Sequence, residues 1–237
     1  MSKIIALSWT RLEAFEQCPR KFQGSYITKE FPKPDFDAEH FRKGRVAHKV
    51  IEERIKFGTP IPYPLPNDKG EDWYIDLTHL DKFLTAVDKA TDEEKYVEYN
   101  IALDHNYQPV DWFNRATIWR CAFDLCIVVG NTAIIIDWKT GKVKQASDQL
   151  KLFAAFAFTI FEQVERVVTA YVWCENQEAK PSIQTYDRGQ HQLLWQEFGD
   201  RGELVQMANQ SGNWPAKRNS FCKWCDALPT QCEYKGA

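Results

Sequence analysis

Ala122-Phe-Asp124-Leu-Cys-Ile-Val-Val-Gly130-Asn131-Thr-Ala-Ile-Ile-Ile-Asp137-Trp-Lys139-Thr-Gly141 is the stretch that decides the fold. Two runs rich in β-branched residues flank Gly130-Asn131, the signature of a hairpin closed by a two-residue loop. A register with Val129 facing Thr132 sets Asp124 opposite Asp137 on one face, their Cβ atoms roughly 5 Å apart. Lys139, two residues beyond Asp137, shares that face because side chains alternate along a strand. Like charges directly opposite destabilise a hairpin. A divalent cation is the natural counterweight.

This pattern suits one chemistry. Two carboxylates hold Mg²⁺ or Mn²⁺ through hard oxygen ligands. Such an ion lowers the pKa of bound water and neutralises charge on a phosphate. A neighbouring lysine orients that water or stabilises charge developing on phosphoryl oxygens. Upstream, Gly44, His48 and Glu52 recur at four-residue intervals and form one helical stripe. Gly44 lets the helix approach its neighbour closely, and His48 can offer an imidazole nitrogen to the same ion. A His with a Glu four residues on is also a common solvated helix pair.

Working outward, the period of the apolar residues changes along the chain. Thr10-x-x-Glu13 reads as a capping box opening a helix to about Phe22, with a kink or early stop at Pro19. Helices are expected over about 40–57 and 76–90, with a proline-rich loop at 58–70. Strands are expected at about 96–103, 115–121, both arms of the hairpin, and 167–174. An apolar helix over about 146–162 and a long one over about 190–209 complete the reading. The fold class is α/β (α+β): a small mixed sheet flanked by helices. We read one domain over 1–237, with a mainly helical part at 1–95 and a sheet core at 96–175. A C-terminal helix and a cysteine-rich tail fill 176–237.

Composition narrows the class. A hydrophobic share of 44% supports a packed core, and a net charge of −3 excludes a globally basic nucleic-acid binder. The apolar stretch near the N-terminus is only about five residues long, too short for a signal peptide or a membrane span. The expected protein is therefore cytoplasmic, of cellular or viral origin, with no membrane partner. Seven cysteines, an odd count, argue against a disulfide framework in a reducing compartment. Cys222-x-x-Cys225-x6-Cys232 favours either tetrahedral zinc or an iron–sulfur cluster, and spacing alone leaves both open. Cys121, Cys126 and Cys174 fall in expected strands and read as buried thiols.

The residues Asp124, Asp137-Trp-Lys139, an upstream Gly-x-x-x-His and a downstream helical Gln resemble the PD-(D/E)XK nuclease superfamily, and within it the RecB-like branch. The resemblance covers nearly the whole chain and implies a restriction-endonuclease-like core. It implies that His48, Asp124, Asp137 and the backbone carbonyl of Trp138 hold the catalytic ion, with Lys139 as the catalytic lysine. Gln149 matches the branch's Gln-x-x-x-Tyr motif, although the tyrosine position is Phe153 here. Glu98 matches an acidic position on the preceding strand. Cys121 and Leu125 stand where the branch usually has Gly and Arg, which bears on how DNA is positioned. Cys18, in Cys-Pro-Arg-Lys-Phe, together with the three late cysteines resembles the iron–sulfur subset of the branch. That subset includes AddB-type recombination nucleases and the small CRISPR-associated adaptation exonucleases. By that resemblance Cys18, Cys222, Cys225 and Cys232 carry one 4Fe–4S cluster, with zinc as the alternative, and tie the N- and C-terminal segments together.

The resemblance implies a metal-dependent DNA exonuclease acting on single- or double-stranded ends. Recombination, repair, phage DNA processing or CRISPR adaptation is the implied setting, and proteins of those systems the implied partners. Lys142 and Lys144, directly after the site, are the expected backbone contacts. Arg42, Lys43, Arg45, Lys151, Lys217, Arg218 and Lys223 are further basic residues near the site or in the tail. The rival reading is a non-catalytic DNA-binding or assembly subunit that keeps the fold and the cluster.

Overall fold

A computed structural model of the protein describes residues 4–66, 72–73, 75–143, 147–176 and 178–235. In chain order the helices are α1 (Trp9–Gln17), α2 (Pro19–Phe22), α3 (Glu39–Phe57), α4 (Asp81–Val87), α5 (Asp148–Ile160) and α6 (His191–Ser211). The strands are β1 (Leu65–Pro66), β2 (Asp72–Trp73), β3 (Lys95–Leu103), β4 (Pro109–Val110), β5 (Trp119–Val129), β6 (Thr132–Lys139), β7 (Arg166–Trp173) and β8 (Ser182–Asp187). Six strands form one mixed sheet in the order β4-β3-β5-β6-β7-β8, and β1 pairs with β2 separately. Within the six, β6 and β7 run parallel, joined through α5, whereas β5/β6 and β7/β8 are antiparallel. This is the mixed α/β architecture expected from the sequence. Among the described residues no helix is long and apolar enough to cross a membrane.

The chain divides into two compact units. The first is built from 36–101 and 121–194. There α3 buries Ala47, Ile51 and Ile55, spaced four apart on one stripe. They pack with Leu125 and Ile127 of β5, Ile136 and Trp138 of β6, Val172 of β7, and Leu84 and Val87 of α4. Gly58 ends α3 in the left-handed conformation (φ +68°). Helix α5 is apolar around its circumference and is buried from Leu152 through Phe158. Its N-cap is Ser147, whose hydroxyl accepts the Gln149 amide.

The hairpin register is the expected one: Val129↔Thr132, Ile127↔Ile134 and Leu125↔Ile136 pair, and Gly130 takes φ +57° in the loop. The ladder between the two arms runs as far as Leu125↔Ile136. Beyond it the Trp138 amide donates to the Asp124 side chain instead of to a backbone carbonyl, 2.8 Å away. A carboxylate has replaced a rung, and the site opens at that point.

The second unit comprises 1–35, 102–120 and 195–237. Leu7 forms a parallel bridge to Trp119. The Trp119 ring is buried against Trp195 and Phe198 of α6, with centroids 6.1 and 6.3 Å away. Gly202 makes that packing feasible. A Cβ there would lie 2.8 Å from Trp119 Cζ2 and 3.2 Å from Leu7 Cδ1. Gly202→Ala should therefore cost about 1–3 kcal/mol through overpacking, read as a melting temperature lowered by roughly 3–10 °C. An unchanged transition would mean that α6 can shift away from Trp119 freely.

Several local readings are corrected. The capping box at Thr10 does not form. Helix α1 starts two residues earlier, with Ser8 as its N-cap, which puts Thr10 and Glu13 inside the helix. Capping boxes occur instead at Thr91/Glu94 and Asp187/Gln190. Cys18 is extended (φ −166°) between α1 and α2, because a residue before proline avoids the helical region. The 76–90 helix is a 3₁₀ turn at Thr78–Leu80 followed by a short α4. Residues 115–118 are not strand; β5 begins at Trp119. Strand β8 was not anticipated, its Ser-Ile-Gln-Thr-Tyr-Asp sequence being polar enough to pass for a loop.

Candidate active site

Every acidic, basic and imidazole group of the expected site lies in the first unit, around the point where β5 and β6 part. His48 arrives on α3, whose approach is close: a Cβ on Gly44 would lie 3.2 Å from Thr140 Oγ1. His48 Nε2 sits 3.0 Å from the Trp138 carbonyl oxygen. A carbonyl can only accept, so Nε2 carries the proton. Burial, the main cause, holds the imidazole pKa below its ordinary value, so the ring is neutral at pH 7. Its bare Nδ1 then faces Asp124 Oδ2 at 3.6 Å. A proton or a cation between these two atoms would satisfy both.

Asp137, on β6, is 5% exposed. Its Oδ1 accepts from Gln149 Nε2 at 3.1 Å. Its Oδ2 is 2.5 Å from Lys139 Nζ, an ion pair without hydrogen-bond alignment. Lys139 Nζ also donates to Gln149 Oε1 at 3.1 Å. Desolvation pushes the Asp124 and Asp137 carboxyls above the ordinary carboxylate range; their mutual repulsion adds to this at Asp124, and Lys139 opposes it at Asp137.

Glu98 completes the cluster from β3, in a conformation that sequence does not reveal. It is a non-glycine residue with φ +52° inside a strand, a kink of the sort a β-bulge produces. Such backbones cost on the order of 1–3 kcal/mol and persist where the surroundings demand them. The result is that ligand atoms of Glu98, His48 and Asp124 all lie within 4.8 Å of one another. Burial and the neighbouring Glu52 raise the Glu98 carboxyl as well. Three carboxylates therefore converge beside one ammonium.

Tyr171 also belongs to this site and was not anticipated. It lies on β7 opposite Asp137 in the parallel register, with its hydroxyl on Gln149 Oε1 at 3.0 Å. Phe153, at the motif's aromatic position, is buried against Phe123 instead (centroids 5.4 Å apart). Lys142 is exposed just past β6; Lys144 lies outside the described residues. Arg42 is removed from the nucleic-acid contacts: it is buried, with its guanidinium over the Trp73 ring. Lys43 is paired with Glu39 at 2.7 Å, and Arg45 donates to the Phe36 carbonyl.

The second unit gathers the other four candidates. Cys18, Cys222, Cys225 and Cys232 line one pocket, together with Arg20, Phe31 and Tyr234. Two of the sulfurs already accept backbone amides: Lys217 N–H to Cys18 Sγ at 3.3 Å and Asn219 N–H to Cys222 Sγ at 3.4 Å. No three of the cysteine sulfurs fall within 4.8 Å of one another. Cys121, Cys126 and Cys174 are buried as expected, and desolvation raises all three thiols, Cys174 to about 12.

A family model of the PD-(D/E)XK nuclease superfamily matches residues 6–233. No curated protein matches the chain. Among solved structures, SSO0001 superposes with a TM-score of 0.48 at 12% identity, covering 96% of this chain and 87% of that one. A candidate exonuclease from Eubacterium rectale superposes with a TM-score of 0.50 at 10% identity, covering 93% and 86% respectively. At such identity the latter likeness is one of fold.

Proposed function

Because the chain belongs to the PD-(D/E)XK nuclease superfamily, we propose that it is a Mg²⁺- or Mn²⁺-dependent DNA exonuclease whose site is His48, Asp124, Asp137, Lys139 and Gln149. The observation that carries this reading is the convergence of more acceptors than the one nearby ammonium can neutralise. His48 Nδ1 faces Asp124 Oδ2, Glu98 stands beside both, and Asp137 Oδ2 is buried without a hydrogen bond. That donor set fits a divalent cation, held by His48, Asp124, Asp137 and the Trp138 carbonyl, with Glu98 as a further acidic ligand. Hard oxygens suit Mg²⁺ and Mn²⁺, and the imidazole favours Mn²⁺ between them. When bound, the ion supplies an acidified water and charge neutralisation at the phosphate. Lys139, held by Asp137 and Gln149, directs its ammonium at the phosphoryl oxygens, where negative charge develops. Hydrolysis leaves a 5′-phosphate, as in the enzymes this chain resembles. Recombination, repair, phage DNA processing or CRISPR adaptation is the setting we favour, and exonuclease action accords with the Eubacterium rectale neighbour.

We assign a 4Fe–4S cluster to Cys18, Cys222, Cys225 and Cys232. All four line one pocket, and among the described residues no three of their sulfurs lie within 4.8 Å of one another. Backbone amides on sulfur are an arrangement that tunes iron–sulfur sites.

The test is digestion of end-labelled linear and closed circular DNA, single- and double-stranded, with Mn²⁺, Mg²⁺ or EDTA. Linear DNA should be lost with either metal, spared by EDTA, and circles should survive. Lys139→Ala should lower the rate by about 10²–10³-fold. If metal-loaded, cluster-containing protein degrades nothing yet still binds DNA, the chain is a DNA-binding subunit.

A further inference from the structure

Tyr171 is 3% exposed and sits in a closed circuit of hydrogen bonds. Its single hydroxyl proton goes to Gln149 Oε1 at 3.0 Å. The 2.5 Å contact with Ser147 Oγ is therefore donated by the serine. Ser147 Oγ in turn accepts the backbone N–H of Gln149 at 3.3 Å. The circuit thus begins and ends on Gln149. Its Oε1 takes two donors, Tyr171 and Lys139. A carboxamide whose oxygen is committed to two donors can present its NH₂ in one direction only. Here that direction is Asp137 Oδ1, 3.1 Å away. The Tyr171 ring meanwhile lies beneath the lysine, with Nζ 4.7 Å from its centroid.

We propose that Tyr171 is a positioning residue of this site: its hydroxyl fixes the orientation of the Gln149 carboxamide, and its ring and Gln149 together hold the Lys139 ammonium in place. The proposal rests on the nuclease reading above. It gives Lys139 a support that does not depend on Asp137. When Asp137 is engaged elsewhere, the groups left around the ammonium are a neutral amide oxygen and a ring face. They hold it without cancelling its charge. On α5 itself the aromatic residue one turn after Gln149 is Phe153, which has no hydroxyl and faces Phe123. The sheet supplies from β7 what the helix lacks.

The test is a double-variant cycle with a spectroscopic arm. Tyr171→Phe keeps the ring and deletes the hydroxyl. It should lower kcat on linear DNA about tenfold with KM within about twofold of wild type. Gln149→Ala should lower kcat by more, and adding Tyr171→Phe to it should cause no further loss. In metal-free protein, the two side-chain amide protons of Gln149 should be sharp and slow to exchange by NMR. In Tyr171→Phe they should broaden and exchange faster. Wild-type kcat with unchanged Gln149 resonances, or losses that multiply in the double variant, would overturn the proposal. If wild-type protein cuts no DNA, the nuclease reading falls, and the NMR arm alone decides whether Tyr171 orients Gln149.

Discussion

Asp124→Asn should abolish metal-dependent cleavage, by at least about 10³-fold, and at the same time make the metal-free protein more stable. The two effects share one cause. Asp124 is mostly buried, its side chain 14% exposed, and desolvation and Asp137 both raise its carboxyl above the ordinary range. A carboxyl raised in the folded state is harder to ionise there than in the unfolded chain. Its charge therefore opposes folding above the ordinary carboxylate pKa, and stability returns as pH falls toward that value. Asparagine keeps an oxygen for the Trp138 amide, which Asp124 now accepts at 2.8 Å, and removes the charge. The expected gain is about 1–2 kcal/mol at pH 7, or roughly 2–8 °C in melting temperature. Mn²⁺ should raise the Tm of the wild type, and in the variant that increase should shrink or vanish. Loss of activity with a lowered metal-free Tm would show Asp124 to be a structural residue.

The second large effect concerns the cysteines. On the proposed cluster assignment, purified protein should absorb broadly in the visible, and replacing Cys222 by Ser should eliminate that absorption and lower the melting temperature by about 10–20 °C, equivalent to roughly 5 kcal/mol. The reasoning starts from how little else organises the tail. From Trp214 to Tyr234 its regular structure is one 3₁₀ turn, and Phe221 and Trp224 are exposed. Cys18 and Cys222 are more than two hundred residues apart in sequence, so a shared cluster closes a very long loop. Colourless wild-type protein containing stoichiometric zinc would replace the cluster by a single ion, while wild-type stability in the variant would remove the structural role.

How much of this was legible in the sequence depends on how local the determinant is. The hairpin register followed from Gly130-Asn131 and the flanking β-branched runs, and with it the common face of Asp124, Asp137 and Lys139. The stripe Gly44-His48-Glu52 needed only the helical repeat. Glu98 was identifiable as an acid on a strand, but its direction is set by a positive φ that no residue type announces. Tyr171 required the parallel register of β6 and β7, which depends on how the intervening helix folds back. Arg42 looked like a phosphate contact because it is charged. Its position on α3 faces the core, where an aromatic ring receives it. The cysteine pocket joins residues from opposite ends of the chain, and only the family resemblance connected them beforehand.

The order in which the two units are completed has a consequence during synthesis. The unit bearing His48, Asp124 and Lys139 draws on residues 36–101 and 121–194. The other unit is assembled from three separate stretches, 1–35, 102–120 and 195–237. At roughly 5–20 residues per second, Cys18 waits on the order of ten seconds or more for Cys222 to be translated. Throughout that interval it is a lone thiol on a growing chain. On the cluster assignment proposed above, delivery of iron and sulfide therefore has to follow the synthesis of Cys232, and a chain stalled before that point would hold the whole of the 36–194 segment and an incomplete cysteine set.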